Sequence, residues 1–138
     1  MSVVTELKKI MIIEDNPLNQ KIASMIMDRM GHEVIQIFDG KGAYDIVKRE
    51  KPQLVILDVM IPNISGIDIC RAIKDDPELK RIPVIIVTAM SNSGDEVRIT
   101  SESGCDDYLS KPFLPQILAS TINKYIKAEP ADSISGSK

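Results

Sequence analysis

Several polar residues stand out because each follows an apolar run. Glu14-Asp15 follow IMII, Asp58 follows LVIL, Thr88-Ala89 follow VIIV, and Lys111 closes the stretch DYLSK. Taken singly they are ordinary: acids cap turns and helix starts, a threonine fits a strand, and a lysine fits a surface. Together they are the parts of a reaction. Three carboxylates at neighbouring strand ends repel one another, and a cation between them relieves that repulsion. Oxygen ligands from carboxylates and a backbone carbonyl suit Mg2+, which keeps several waters. Such an ion leaves one oxygen of Asp58 free to attack phosphorus and form an acyl phosphate. The charge that develops needs a hydroxyl, a backbone N–H and a cationic side chain, and Thr88, the Ala89 amide and Lys111 supply them.

These residues are far apart in the chain, so strands must gather them. The apolar runs at 10–13, 34–37, Leu54–Leu57 and 84–87 read as strands, with a weaker fifth at 107–109. Three are continuous and rich in Ile and Val, the pattern of parallel strands covered on both faces. Gln36 interrupts the second, which suits a sheet edge. Helical patterns lie between. Asn16 can cap a helix that has Pro17 at its first position. Leu18, Ile22, Met25, Ile26 and Met30 then fall on one side at helical spacing, and Gly31 ends the helix. A second helix carries Ala43, Ile46 and Val47 and stops before Pro52. A third carries Ile69, Cys70 and Ile73 and stops before Pro77. A fourth, about 94–103, has only Val97 and Ile99 to bury and is expected to be the least firmly packed. A fifth carries Leu114, Ile117, Leu118, Thr121, Ile122 and Tyr125. Five strands alternating with five helices make an α/β, doubly wound domain with helices on both faces of a parallel sheet. Such folds bind ligands outside the carboxyl ends of the strands, where the polar residues converge.

The totals agree with one domain. A chain of 138 residues buries roughly two-thirds of its unfolded surface and needs neither disulfide nor metal to fold. Its net charge of −3, from 17 basic and 20 acidic residues, gives no drive toward nucleic acid or an anionic membrane. Cys70 and Cys105 have no metal-ligand spacing and read as small thiols of a reducing compartment. The single histidine, His32, gives no support to histidine-based catalysis or metal ligation. No run approaches a membrane span, and the first residues do not make a signal peptide, so a cytoplasmic location is expected. The folded domain is expected over 7–127. Residues 128–138, rich in Ser, Gly and Pro, read as a flexible C-terminal tail.

The stretches IIEDN, VILDVMIPNISG, VTA and DYLSKPF, in this order and spacing, resemble the response-regulator receiver domain of two-component signalling, with its chemotaxis-type fold. The resemblance covers essentially the whole folded part. It implies a flavodoxin-like (βα)5 three-layer sandwich with strand order 2-1-3-4-5. It implies that Asp58 is the phosphoacceptor. Asp15, Asp58 and the Met60 carbonyl would hold Mg2+, with Glu14 acting through water and Mn2+ able to substitute. Thr88, Ala89 and Lys111 would contact the phosphoryl group, with a cis peptide before Pro112. Thr88 and Tyr108 would form the conformational switch, and Met60 and Met90 would tune dephosphorylation. Gly66 matches the glycine that closes the loop after the acceptor strand. The donor would be a histidine kinase or histidine phosphotransfer protein docking on the first helix and on the loop before the fifth.

IIEDNPLN, RAIKDDPEL and SGCDDYLSKPF further resemble stand-alone single-domain regulators of the cell-division and polarity type. The output would then be a downstream protein target, with the chain a monomer or a phosphorylation-dependent dimer. No helix-turn-helix or basic stripe follows Tyr125, so no DNA-binding output is expected in this chain. The alternative is a receiver fragment of a longer regulator or hybrid kinase. A haloacid-dehalogenase-type phosphatase is the remote alternative, because it pairs its acids as DxD after the first strand and carries a cap domain. A degenerate receiver is disfavoured because every required residue is present. A dinucleotide-binding domain is disfavoured because no GxGxxG follows the first strand. On this reading the chain is no enzyme beyond catalysing its own phosphorylation and dephosphorylation.

Overall fold

Leu54–Leu57 forms the central strand, β3, buried on both faces because all four side chains are apolar. In the computed structural model, which describes residues 8–89 and 93–126, β3 lies between β1 (Lys9–Ile13) and β4 (Val84–Thr88). The edges are β2 (Glu33–Ile37) beside β1 and β5 (Asp107–Ser110) beside β4. All neighbouring pairs are parallel and the order is β2-β1-β3-β4-β5. The two edge strands are only partly covered, as Gln36 implied for the first.

The helices are α1 (Pro17–Arg29), α2 (Ala43–Glu50), α3 (Gly66–Asp75), α4 (Ser93–Ser103) and α5 (Pro115–Tyr125). Side chains alternate across the strands, so the sheet feeds two cores. Ile10, Ile12, Ile56, Ile85 and Val87 meet α1 and α5 on one face. Met11, Ile13, Val55, Leu57 and Ile86 meet α2, α3 and α4 on the other. Asn16 caps α1 by accepting from the Leu18 and Asn19 amides, Pro17 opens it, and Gly31 follows its end with φ +85°. Both cysteines are free thiols; burial pushes Cys70 up to about 12.

Two expectations hold only in part: Ile26 and Met30 of the α1 stripe and Leu118, Ile122 and Tyr125 of the α5 stripe do pack on the core, but the other apolar members do not. On α1 the buried stripe is Gln20, Ala23 and Met27, while Leu18, Ile22 and Met25 are 64%, 41% and 48% exposed. Both stripes have helical spacing. Ala23 is small enough to let the helix lie close to the sheet, and the Gln20 amide finds backbone partners at the strand ends. On α5 the inward residues are Leu118, Thr121 and Ile122; Leu114 is the N-cap, and both it and Ile117 face outward. On α4, Ile99 is buried and Val97 is 70% exposed.

Candidate functional site

The register of β1, β2 and β3 builds the acidic corner. Ile13 pairs with Ile37 on one side and Leu57 on the other, so Glu14 and Asp58 leave adjacent strands at one level. The Glu14 N–H donates to Ile37 O at 3.0 Å, and the Asp58 N–H donates to Ile13 O at 3.0 Å. Both carboxylates are buried, and Asp15 beside them is exposed. Glu14, Asp15 and Asp58 each offer a carboxylate oxygen, all within 4.8 Å of one another. That is the donor chemistry of a hard divalent cation, so these residues fit Mg2+.

Both oxygens of Asp58 are engaged. Oδ1 accepts from the Met60 N–H at 3.1 Å and Oδ2 from Lys111 Nζ at 2.9 Å. Lys111 Nζ also donates to Glu14 Oε1, so one ammonium bridges two buried acids. Burial pushes Glu14 up, and its bonds to Lys111 and to the Asn16 N–H only partly offset this. Burial acts to lower Lys111, but its bonds to Glu14 and Asp58 outweigh it and hold the ammonium above its ordinary value.

Lys111 reaches the acids because its N–H donates to Thr88 O at 2.9 Å, which seats the β5–α5 loop over the end of β4. The Lys111-Pro112 peptide is cis. Thr88 ends β4, fully buried, and Ala89 follows it, exposed. Asp58, Ala89, Lys111 and Phe113 line one cleft of about 390 Å3, which continues between α1 and α5 over Ile22 and Ala23. Gly66 closes the loop after Asp58: a Cβ there would lie 2.1 Å from Asp58 O, so only glycine fits.

The Met60 side chain is exposed beside the acceptor. Tyr108 is half-buried on β5 against the α2–α4 core; burial raises its hydroxyl, and Glu96 and Asp95 on α4 raise it further. Met90 lies outside the described residues. Glu14, Asp15, Asp58 and Lys111 are therefore together, with Thr88 and Ala89 on the adjoining strand end.

Sequence reasoning missed Gln20. Its buried amide donates to the carbonyls of Ile12, Glu14 and Ile37 at 2.9, 3.2 and 2.8 Å. The signal was available as the stripe Gln20, Ala23, Met27, which an apolar filter rejects. It also missed the link between the loops after β2 and β3. There Asn63 Nδ2 donates to Asp39 at 2.8 Å and the Gly40 N–H donates to Pro62 O at 3.1 Å.

A doubly wound sheet with an acid pair just after β1, a lone aspartate just after β3 and a lysine after β5 has the layout of a receiver domain rather than that of a DxD phosphatase. The chain belongs to the response regulator receiver domain family, whose model matches residues 10–123. It is 40% identical over 119 residues to the polar-differentiation response regulator DivK of Brucella anthropi, covering 86% of this chain and 96% of that one. A putative response regulator from Chloroflexus aurantiacus superposes with a TM-score of 0.82 at 26% identity, over 87% of this chain and 98% of that one. The receiver domain of the sensor histidine kinase PA1611 from Pseudomonas aeruginosa, with magnesium coordinated in its active-site cleft, superposes with a TM-score of 0.80. It is 28% identical and is matched over 88% of this chain and 98% of that one. Among the described residues, no helix is long and apolar enough to cross a membrane.

Proposed function

We propose that Asp58 takes a phosphoryl group from a phosphohistidine on a histidine kinase or phosphotransfer protein. The observation that carries this is the single ammonium of Lys111 bridging Asp58 and Glu14 beside a third acid, Asp15. An Asp58 oxygen attacks phosphorus in line; the P–O bond forms as the P–N bond breaks, and the departing imidazole takes its proton from solvent. Asp15, Asp58 and the Met60 carbonyl would hold Mg2+, with Glu14 acting through water; the ion would supply charge neutralisation, and Mn2+ would substitute. Lys111 turns from the carboxylates to the phosphoryl oxygens, joined by the Thr88 hydroxyl and the Ala89 N–H.

The new charge draws Thr88 inward, Tyr108 follows into the vacated space, and the α4–β5–α5 face changes. The sparse packing of α4 supports this switch. Met60 and Met90 give the attacking water no good hydrogen bond, so self-dephosphorylation is slow. The donor docks where Ile22 and Phe113 line the cleft and Leu18 and Leu114, near them in the chain, are exposed, an apolar surface of the kind interfaces use. The readout is protein binding in the cytoplasm, in the control of cell polarity as the name of the Brucella relative suggests. The chain is a monomer or a phosphorylation-dependent dimer, without nucleic acid, and turns over no other substrate.

Intact mass after incubation with acetyl phosphate and Mg2+ tests the reading. One added phosphoryl group is expected, absent without Mg2+ and absent in Asp58→Asn. An adduct that persists in Asp58→Asn sinks the assignment. Following the decay of the adduct in Met60→Asn tests the tuning role, which fails if the rate is unchanged.

A further inference from the structure

Gln20 is the one fully buried polar side chain on α1, and it serves the turn that carries the acid pair. Its two amide hydrogens are shared among three carbonyls, those of Ile12, Glu14 and Ile37. Three acceptors require the nitrogen on that side, so the amide cannot be flipped. Oε1 is buried and has no hydrogen-bond partner among the described residues. A buried acceptor in that state is a standing cost that a leucine or methionine on the same stripe would not carry.

The carbonyl of Glu14 belongs to the peptide that joins it to Asp15. A planar peptide held at its oxygen fixes where the next Cα and side chain begin. The N–H of Glu14 is held as well, by Ile37 O, which itself accepts from Gln20. The Glu14 carboxylate takes the Asn16 N–H at 3.0 Å. The turn around the acid pair is thus tied at the Glu14 N–H, the Glu14 carbonyl and the Asn16 N–H, and Gln20 supplies the tie from the helix side.

We infer that Gln20 is a positioning residue for divalent-cation binding. By clamping the Glu14–Asp15 peptide to the ends of β1 and β2, it holds the Asp15 carboxylate in register with Asp58. Gln20 touches neither the phosphoryl group nor the metal. This rests on the Mg2+ reading above and adds that affinity, more than chemistry, depends on a residue behind the ligands. Outer-shell partners of this kind typically change metal affinity about 10- to 100-fold.

The experiment is a Mg2+ titration of the full chain by backbone-amide NMR. It compares wild type, Gln20→Leu and Met27→Ala, a control at a buried position two stripe steps away that makes no bond to the turn. Thermal midpoints and acetyl phosphate phosphorylation rates are measured alongside. Gln20→Leu is expected to bind Mg2+ about tenfold more weakly yet to recover its phosphorylation rate at saturating Mg2+; Met27→Ala is expected to lose stability and keep its affinity. Affinity within twofold of wild type in Gln20→Leu overturns the inference, and so does an equal loss in Met27→Ala. Should Gln20→Leu not fold, the wild type decides. Its Gln20 side-chain amide resonances shift with the half-saturation of the Asp15 amide, and resonances that stay still overturn the role. Wild type that binds no Mg2+ overturns the underlying metal reading instead, a distinguishable result.

Discussion

The two faces of the sheet are finished differently. On the α2–α3–α4 face, Val47, Ile69, Cys70, Ile73 and Leu79 are buried with the strand side chains. Tyr44 Oη further ties α2 to Asp76 at 2.5 Å, and Lys74 ties α3 to Asp106 at 2.6 Å. On the α1–α5 face, five apolar side chains (Leu18, Ile22, Met25, Leu114 and Ile117) are exposed to solvent, and one of them, Ile22, lines the cleft that runs to Asp58. Both faces have apolar residues in excess. Each face has its own core, but α1 and the start of α5 leave more of their apolar residues outside it than α2 and α3 do. Stability is therefore expected to reside in the first face, and recognition in the second.

The largest effect that can break this comparison is Ile73→Ala. Its side chain is fully buried, so truncation should cost about 2–5 kcal/mol, read from urea unfolding. Next is the double change Leu18→Ala with Ile22→Ala. Stability should move by only about 0.5 kcal/mol per site. Phosphoryl uptake from a phosphohistidine partner should fall about tenfold, as for loss of interface anchors, with uptake from acetyl phosphate unchanged. If the double change costs as much stability as Ile73→Ala, the two faces are equivalent and the comparison is wrong.

The smallest effect concerns His32, beneath α1. It is buried, and among the described residues neither ring nitrogen has a hydrogen-bond partner. Burial, and then the Lys8 ammonium, lower its pKa; Lys21, Asp28 and Glu33 are the other charged groups around its groove. A lowered imidazole binds fewer protons folded than unfolded. Its contribution is therefore complete above the unfolded value of about 6.5 and is lost as pH falls below it. His32→Leu should flatten the fall in stability between about pH 7 and pH 5.5 in paired urea titrations. Equal slopes in the two proteins would remove His32 from the acid response.

Much of the architecture was legible in the residues. Continuous apolar runs at 10–13, Leu54–Leu57 and 84–87 can be satisfied only by strands covered on both faces. Asn16-Pro17 and Gly31 bracket α1 through capping chemistry that needs no tertiary information. The acids, the threonine and the lysine were visible because each interrupts or ends an apolar run, where a charged or polar side chain has no packing reason to be. Gly66 was visible too, though the reason only glycine fits, an approach of 2.1 Å to the Asp58 carbonyl, belongs to the folded chain.

What tertiary structure alone decided was the rotation of α1 and α5 against the sheet. Leu18-Ile22-Met25 and Gln20-Ala23-Met27 are equally periodic. Hydrophobicity favours the first, but the space above β1 and the carbonyls of Ile12, Glu14 and Ile37 select the second. The same decision put Gln20 behind the acid pair and the apolar residues around the cleft. Periodicity fixes which residues share a stripe. Which stripe turns inward depends on the size and the hydrogen-bonding needs of the surface it meets.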